Sequence, residues 1–256
     1  MAVRPTRVLY SAYERHLRKA LVPAMLPRHV AVLADGNRRW ARANAPDEPL
    51  VAGYQAGAQK LREFCAWCDD LGIPLVTLWV LSTDNLRRNT DDEIGPLLDI
   101  VAQLVDDLAA RHPVRIVGAM DLLPPAVAER LRRAESASSG HRGMYVNVAV
   151  AYGGRQELRD AVRALLADEA SNGVTLAQLA TTLEVDQIEA HLYTSGQPDP
   201  DLIIRTSGEQ RLSGFLMWQS AHSEFYFCEA LWPDFRRVDF YRALRSYAQR
   251  ERRYGL

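Results

Sequence analysis

The chain has 256 residues, of which 48% are hydrophobic and 25% are charged, and its formal net charge is -1. These proportions are typical of a globular protein, and a chain of this length can bury one complete core. The near-zero charge argues against a general nucleic-acid-binding surface, so we expect no nucleic-acid partner. Three cysteines argue against a disulfide framework and favour the cytoplasm. No apolar run approaches the roughly 20 residues of a membrane span, and the N-terminus lacks the uninterrupted apolar core of a signal peptide.

The first part of the chain has helical spacing. Residues 8–25 alternate Leu, Tyr and Val with basic side chains, which predicts an amphipathic helical segment within residues 1–28. Two placements are open. The helix lies on a membrane, as weak peripheral contact at its inner face, or it packs on the protein's own surface. We favour the second placement because the apolar face is short.

The rest of the chain alternates between two patterns. Apolar runs predict six strands, at 29–34, 75–82, 114–119, 145–151, 202–206 and 224–228. Segments of helical periodicity lie mostly between them, at 54–70, 91–111, 124–137, 155–171 and 239–252. Thr175 and Asp186 are predicted to cap two short helices, and residues 135–143 and 194–201 to form loops. This alternation indicates a single α/β domain, with a mostly parallel six-stranded central sheet and helices on both faces.

Cys65 and Cys68 form a C-x-x-C pattern. They lie within a predicted helix, with no strand signature before them and no second cysteine pair to complete a zinc site. We therefore interpret them as packing residues.

The segment from His29 to Arg42 is the most informative part of the chain. An apolar strand ends at Asp35, Gly36 and Asn37, and three arginines follow, Arg38, Arg39 and Arg42. Glycine permits a sharp turn and a close approach to a ligand, and the N–H groups of a helix that starts after Asn37 favour an anion. A carboxylate would repel a phosphate unless a divalent cation bridged them. A surface turn with solvated arginines is the alternative interpretation of this segment taken alone.

Two further segments have the same form. Ser82, Asn85 and Arg88 follow the strand predicted at 75–82, and Arg205, Arg211 and Ser213 close and follow the one at 202–206. In an open α/β sheet, ligands bind beyond the carboxyl ends of the strands. We expect these three polar loops to meet there.

The three motifs together resemble those of the cis-prenyltransferases, the undecaprenyl diphosphate synthase-like enzymes. They read D-G-N-x-R-W-A, S-T-D-N-L-x-R and I-R-T-S-G-E-x-R-L-S-x-F-L-x-W-Q-x-x-x-x-E, in the family's order and spacing from about His29 onward. Y-G-G-R at 152–155 and L-W-P-D-F at 231–235 fit the same pattern. Within the family, the chain most resembles the short-chain actinobacterial branch that makes Z,E-farnesyl diphosphate. The resemblance implies a catalytic domain at 29–256 with an apolar substrate tunnel, acting as a homodimer with Mg²⁺.

The resemblance also implies roles for individual residues. Asp35 would carry the magnesium ion and assist the leaving group, and Glu224 would be a second metal-linked acid that reaches toward the partner subunit. Asn85 would position substrate near proton removal, and a diphosphate oxygen would take the proton, because an amide is a poor base. The allylic diphosphate would be bound by Gly36, Asn37, Arg38, Arg39, Trp40, Ser82 and Arg88. Isopentenyl diphosphate would be bound by Arg205, Arg211, Ser213 and Arg253. A strand-edge surface carboxylate is the alternative for Glu224, and a solvated tail is the alternative for Arg253.

Seven positions bear on product length. Tyr54 and Leu86 stand where many long-chain relatives have histidine and tryptophan, as in the short-chain branch. Val80 matches a tunnel position that is small in long-chain members, so a branched side chain there would stop the growing tail early. Leu81, Leu98, Val101 and Met144 are further tunnel candidates, for which ordinary core packing is an equal explanation.

The sequence thus predicts that the chain adds isopentenyl diphosphate to a short allylic diphosphate, with geranyl diphosphate preferred. Three alternatives remain open. They are a long-chain polyprenyl diphosphate synthase, an enzyme that couples two dimethylallyl diphosphates irregularly, and a non-catalytic subunit that binds prenyl diphosphates.

Overall fold

A computed structural model of the chain describes residues 5–88 and 91–250. The strands are β1 (His29–Leu33), β2 (Leu75–Trp79), β3 (Val114–Val117), β4 (Tyr145–Ala149), β5 (Leu202–Arg205) and β6 (Glu224–Phe227). The helices are α1 (Pro5–Ala20), α2 (Asn37–Asn44), α3 (Val51–Asp70), α4 (Thr83–Arg88), α5 (Asp91–Ala109), α6 (Pro125–Ser138), α7 (Gly154–Ser171), α8 (Leu176–Thr182), α9 (Val185–Glu189) and α10 (Arg237–Gln249).

The described strands form one six-stranded sheet in the order β3-β4-β2-β1-β5-β6, with every pairing parallel. The predicted α/β class is therefore confirmed. Strands β2, β1 and β5 lie side by side at the centre, so their carboxyl ends are neighbours. These are the three ends that carry the polar motifs.

Strand β1 shows why the sheet is covered on both faces. All five of its residues are buried, and successive side chains point to opposite faces. Val30 and Val32 join the larger hydrophobic core, whereas Ala31 and Leu33 join a smaller one. A strand that is apolar on both faces must be covered twice, as parallel sheets usually are.

An aromatic cluster anchors the larger core. Phe64 of α3 packs edge-on against Trp232 at 5.8 Å and Phe240 at 4.9 Å between ring centroids. The indole of Trp232 donates to the carbonyl of Gly57 at 2.9 Å, and its backbone N–H donates to the carbonyl of Asp35 at 2.9 Å. This cluster therefore connects the core directly to the first motif.

Helix α1 packs on α10, which was the favoured placement. Leu17 is buried in the larger core. Arg236 lies over the Tyr10 ring at 5.0 Å and Arg242 over the Tyr13 ring at 5.4 Å. Across residues 5–88 and 91–250, no helix combines the length and the apolar character needed to span a membrane.

Three local predictions were wrong. Residues 83–88 follow β2 as the short helix α4, not as a loop. Helix α6 continues to Ser138, because Ala134 and Ser138 are buried on one face, so the predicted loop at 135–143 begins only after it. Thr175 caps α8 as predicted, but α9 is capped at Glu184, whose N–H donates to Gln187 Oε1 at 2.9 Å, and Asp186 lies inside the helix.

Candidate active site

A cavity of about 1220 Å³ opens at the carboxyl ends of the central strands, between the sheet and helices α3 and α5. One part of its wall is polar and comes from all three sequence motifs. The other part is apolar, and it includes Ala58, Leu61, Val80, Leu81, Leu97, Ile100, Val101 and Leu104. The fold therefore joins a charged chamber to an apolar one, as the predicted tunnel requires.

Asp35 lies at the centre of the charged chamber. Its Oδ2 accepts hydrogen bonds from Ser207 Oγ at 2.9 Å, Arg205 Nη2 at 3.2 Å and Arg39 Nη2 at 3.4 Å. Arg205 is only 3% exposed, so this pairing compensates a guanidinium that is largely removed from water. Thr206 Oγ1 accepts from the Asp35 N–H and donates to its carbonyl, which locks the backbone at this turn.

The turn after Asp35 depends on two glycines. Gly36 has a φ of 111° and precedes α2, and a side chain there would meet Leu231 at 2.9 Å. Gly57 of α3 lies so close to Asn37 that an added Cβ would be 2.4 Å from Asn37 Oδ1. That oxygen is buried without a hydrogen-bond partner among the described residues. The first turn of α2 thus lies at the cavity wall, with the Asn37 side-chain oxygen packed against Gly57.

The third motif wraps around Arg205. The Nη1 of Arg205 donates to Ser213 Oγ at 3.1 Å. The buried Nε of Arg205 lacks a hydrogen-bond partner within residues 5–88 and 91–250. Arg211 is exposed at the cavity wall, paired with Glu209. Ser207 and Ser213 have φ values of 80° and 52°, a left-handed region that non-glycine residues rarely occupy. Such strain is concentrated at functional sites.

The second motif lies beside the first. Ser82 forms an isolated parallel bridge with Tyr152, which extends the pairing of β2 and β4 and brings Y-G-G-R to the cavity. Ser82 Oγ accepts from the Asn85 N–H at 3.0 Å, and both side chains line the cavity. Tyr54 lines it too, and burial raises the pKa of its hydroxyl, so this group stays protonated near neutral pH.

Some predicted site residues lie elsewhere. Trp40 and Met144 are not in the cavity wall: the Trp40 indole donates to Asp234 at 2.9 Å, and Met144 is buried just before the amino end of β4. Leu98 is likewise buried in the core outside that wall. The Arg88 side chain and the whole of Arg253 fall outside the described part of the chain.

Glu224 is also remote from Asp35 within one chain. It begins β6 in register with Leu202, which pairs with Val30. Asp35 follows Leu33 at the other end of β1, and the strand from Val30 to Leu33 alone spans about 10 Å. Glu224 instead pairs with Arg250. A metal role for Glu224 therefore needs a second subunit.

Sequence reasoning missed several site residues. Ser207 contacts Asp35 directly, and Arg87, Arg155 and Gln156 line the cavity. Ser207 and Arg155 lie inside the sequence motifs, but nothing in the sequence distinguishes them as site residues from their neighbours. Cys65 and Cys68 are free and buried, and burial raises the pKa of Cys65 to about 12, which agrees with a packing role.

The geometry of this cavity defines a class of protein. A parallel α/β fold whose cavity joins a cluster of arginines and the Asp35 carboxylate to an apolar chamber fits an enzyme for anionic substrates with hydrocarbon tails.

Comparison with known proteins supports this class. Residues 33–255 match the model of a family described as putative undecaprenyl diphosphate synthase. The chain is 56% identical over 248 residues to a (2Z,6E)-farnesyl diphosphate synthase of Thermobifida fusca, covering 96% of this chain and 97% of that protein. It is 51% identical to a short-chain Z-isoprenyl diphosphate synthase of Mycobacterium leprae, covering all of both chains.

A solved structure shares the fold. The lavandulyl diphosphate synthase of Lavandula x intermedia, in complex with dimethylallyl diphosphate, superposes with a TM-score of 0.82 at 33% identity, covering 91% of this chain and all of that one. This chain belongs to the undecaprenyl diphosphate synthase-like family of prenyltransferases, the cis-prenyltransferases.

Proposed function

We propose that the protein joins isopentenyl diphosphate to geranyl diphosphate and releases a short product, Z,E-farnesyl diphosphate. One observation carries the proposal: a single cavity contains two groups of diphosphate-binding side chains and an apolar wall. The names of the relatives at 51% and 56% identity support a short product.

The allylic diphosphate binds at the start of α2. Arg38, Arg39 and Arg42 supply charge there, and the N–H groups of the first helical turn point at the anion. Asn37 also lines the cavity, and the N–H of its side-chain amide supplies a further donor. These donors hold the leaving group while its bond to the allylic carbon breaks.

The second diphosphate binds at the third motif. Arg205, Arg211 and Ser213 face the cavity, and the unpaired Nε of the buried Arg205 marks a place for an anion. The two diphosphates then lie side by side, so the double bond of isopentenyl diphosphate attacks the allylic carbon. Asn85 and Ser82 orient the reacting ends, and a diphosphate oxygen takes the released proton.

The residues around Asp35 fit a magnesium ion. No cluster of three acidic, His or Cys side chains exists in residues 5–88 and 91–250, so an all-protein site is absent there. Magnesium usually binds through one or two carboxylates together with substrate phosphates and water. All three hydrogen bonds to the Asp35 carboxylate go to Oδ2, which leaves Oδ1 for the ion. When bound, Mg²⁺ offsets the charge of the departing diphosphate.

The apolar chamber receives the hydrocarbon tail. Val80 and Leu81 form its wall next to the charged chamber, opposite side chains of α3 and α5. We assign chain-length control to Val80 and Leu81, whereas Met144 lies outside this wall.

The active form is a homodimer. Strand β6 is an edge of the sheet, and it presents Phe225, Tyr226 and the 40% exposed Phe227. An apolar edge strand of this kind is normally covered, and a second copy of the chain would do so. Glu224 and Arg253 would then act toward the partner's cavity.

The protein works in the cytoplasm as a domain at 29–256 preceded by the α1 segment. Three free cysteines fit a reducing compartment. Since Tyr10 is 45% exposed, weak contact of α1 with a membrane surface remains compatible with its packing on α10.

Incubation of the purified protein with Mg²⁺, labelled isopentenyl diphosphate and dimethylallyl, geranyl or farnesyl diphosphate tests the proposal. We expect a fifteen-carbon Z,E product from geranyl diphosphate. Long products would indicate a polyprenyl synthase, coupling of dimethylallyl diphosphate alone would indicate an irregular enzyme, and no turnover would indicate an accessory subunit.

Asp35→Asn tests the central role of this carboxylate. We expect turnover to fall at least about a hundredfold, because charge stabilisation at the leaving group is lost. Asp186→Asn, on the exposed face of α9, is the control with unchanged turnover. Unchanged turnover in folded Asp35→Asn would contradict the assignment.

A further inference from the structure

A carboxylate outside the cavity wall is almost completely buried. Glu157, in the first turn of α7, is 1% exposed. Ionised carboxylates are costly to bury unless all their oxygens are hydrogen-bonded. Glu157 has no part in the prenyl transfer itself.

Three donors surround Glu157. Oε2 accepts from the hydroxyl of Tyr152 at 2.5 Å, and Oε1 accepts from the Tyr193 N–H at 3.1 Å and from Gln219 Nε2 at 3.0 Å. Burial raises the pKa of Glu157, and these hydrogen bonds offset only part of that rise. All three contacts need an acceptor on Glu157, so they favour the carboxylate form.

Two of these donors, Tyr152 and Gln219, hold the segment of the third motif in place. The Tyr152 oxygen accepts the backbone N–H of Leu216 at 3.1 Å, and Gln219 lies in the same segment. Leu216, with a φ of 46°, and Ser213, with a φ of 52°, both have left-handed backbones. Glu157 is therefore linked, through Tyr152 and Gln219, to the carboxyl-terminal side of this strained turn.

The turn is also held by its aromatic residue. Phe215 stacks on Trp79 with ring centroids 5.1 Å apart and planes 7° apart, and it meets Tyr152 edge-on at 6.0 Å. Ser213, two residues earlier, accepts from Arg205. A shift of Tyr152 would thus move Phe215 and Leu216, and with them Ser213.

We propose that Glu157 is a positioning residue for the isopentenyl diphosphate pocket: through Tyr152 and Gln219 it holds the 213–216 turn so that Ser213 stays beside Arg205. The inference rests on the proposed function of that pocket. Buried polar groups of this kind often specify one conformation and add little net stability. Glu157 itself touches no substrate.

Kinetics of Glu157→Gln and Tyr152→Phe test the proposal. Glutamine replaces one acceptor oxygen with a donor, and phenylalanine leaves the Leu216 N–H without its acceptor. We expect the KM for isopentenyl diphosphate to rise about tenfold in each variant, because one buried hydrogen bond is lost. The KM for geranyl diphosphate should stay within about twofold.

Asp239→Asn is the matched control. Asp239 is also buried, at 4% exposure, but it binds Arg236 and Arg242 at the start of α10. A merely structural carboxylate lowers stability and leaves the ratio of the two KM values unchanged. If Glu157→Gln behaves like Asp239→Asn, the proposal is wrong.

A second measurement does not need turnover. Hydrogen exchange in a peptide covering residues 212–220 should be at least about tenfold faster in Glu157→Gln than in the unmodified protein. An unmodified protein without prenyl transfer would overturn the proposed function, and this exchange result would still decide whether Glu157 holds the turn. Unchanged exchange would overturn the positioning role even in an active enzyme.

Discussion

Gly57 leaves room for Asn37 and the first turn of α2. An added Cβ would lie 2.4 Å from Asn37 Oδ1, so Gly57→Ala must displace Asn37 or separate α2 from α3. We expect turnover to fall about tenfold or more and the free energy of unfolding to fall by about 1–3 kcal/mol. Steady-state kinetics and urea unfolding measure the two effects.

Gly95→Ala is the control for Gly57→Ala. Gly95 is also helical, but nothing lies within 4 Å of an added Cβ. Alanine there should leave turnover unchanged and raise stability by about 0.5–1 kcal/mol. Equal activity of the two variants would refute the packing argument.

Val80 tests the assignment of product length at the residue scale. It lines the apolar chamber directly after β2, so Val80→Ala should lengthen the chamber and shift products beyond fifteen carbons. Chromatography of products from geranyl diphosphate measures the shift. Met144→Ala, outside the wall, should cost about 2–5 kcal/mol of stability without longer products. Longer products from Met144→Ala alone would reverse the assignment.

At the scale of the elements, His29 couples the amino end of β1 to its neighbours. Its Nδ1 lies 2.8 Å from the Pro198 carbonyl, and its Nε2 lies 2.8 Å from Thr77 Oγ1 of β2. Thr77 Oγ1 also accepts from Asn147 of β4 at 3.1 Å. Burial lowers the pKa of His29 from 6.5 to about 4, so the ring is neutral in the folded state.

This pKa difference predicts a pH dependence of stability. Between pH 6.5 and about 4 the unfolded chain binds the proton and the folded chain does not. The free energy of unfolding therefore falls as the pH falls through this window, by about 2 kcal/mol from about pH 7.5 to about pH 5 from this group. Urea unfolding at both pH values measures it. His29→Gln should lose this component, and an identical pH dependence in the variant would contradict the explanation.

The elements also show which local structures can be predicted. Long periodic segments such as α3 and α5 and the buried strands were placed within a few residues, because burial imposes a clear pattern. Helix α4 was missed because its six residues, five of them polar, carry no such pattern. The end of α6 was predicted within one residue, but the predicted loop at 135–143 began too early. Ser138 is buried by tertiary contacts, where its hydroxyl accepts the Val114 N–H at 2.9 Å.

At the scale of the whole molecule, the exposed edge of the sheet predicts the assembly. Phe227→Lys places a charge on the β6 edge, so the homodimer that we propose should dissociate to monomers. Leu176→Lys is the control, since Leu176 is 74% exposed on α8, away from this strand. Sedimentation velocity distinguishes the two variants. A monomeric unmodified protein, or a dimeric Phe227→Lys variant, would exclude this interface.

The sequence by itself determined the α/β class, the strands that end in polar motifs and most residues of the charged chamber. Strand burial and ligand chemistry are both expressed in residue type and local order, so Asp35, Asn37, Arg205 and Ser213 were found without coordinates.

Only the tertiary structure decided which groups meet. Ser207 on Asp35, Gly57 against Asn37 and Glu157 under the 213–216 turn join residues far apart in the chain, and no periodicity records such contacts. Tertiary structure also separated Glu224 from Asp35 within one chain, because parallel pairing places the two carboxylates at opposite ends of the sheet.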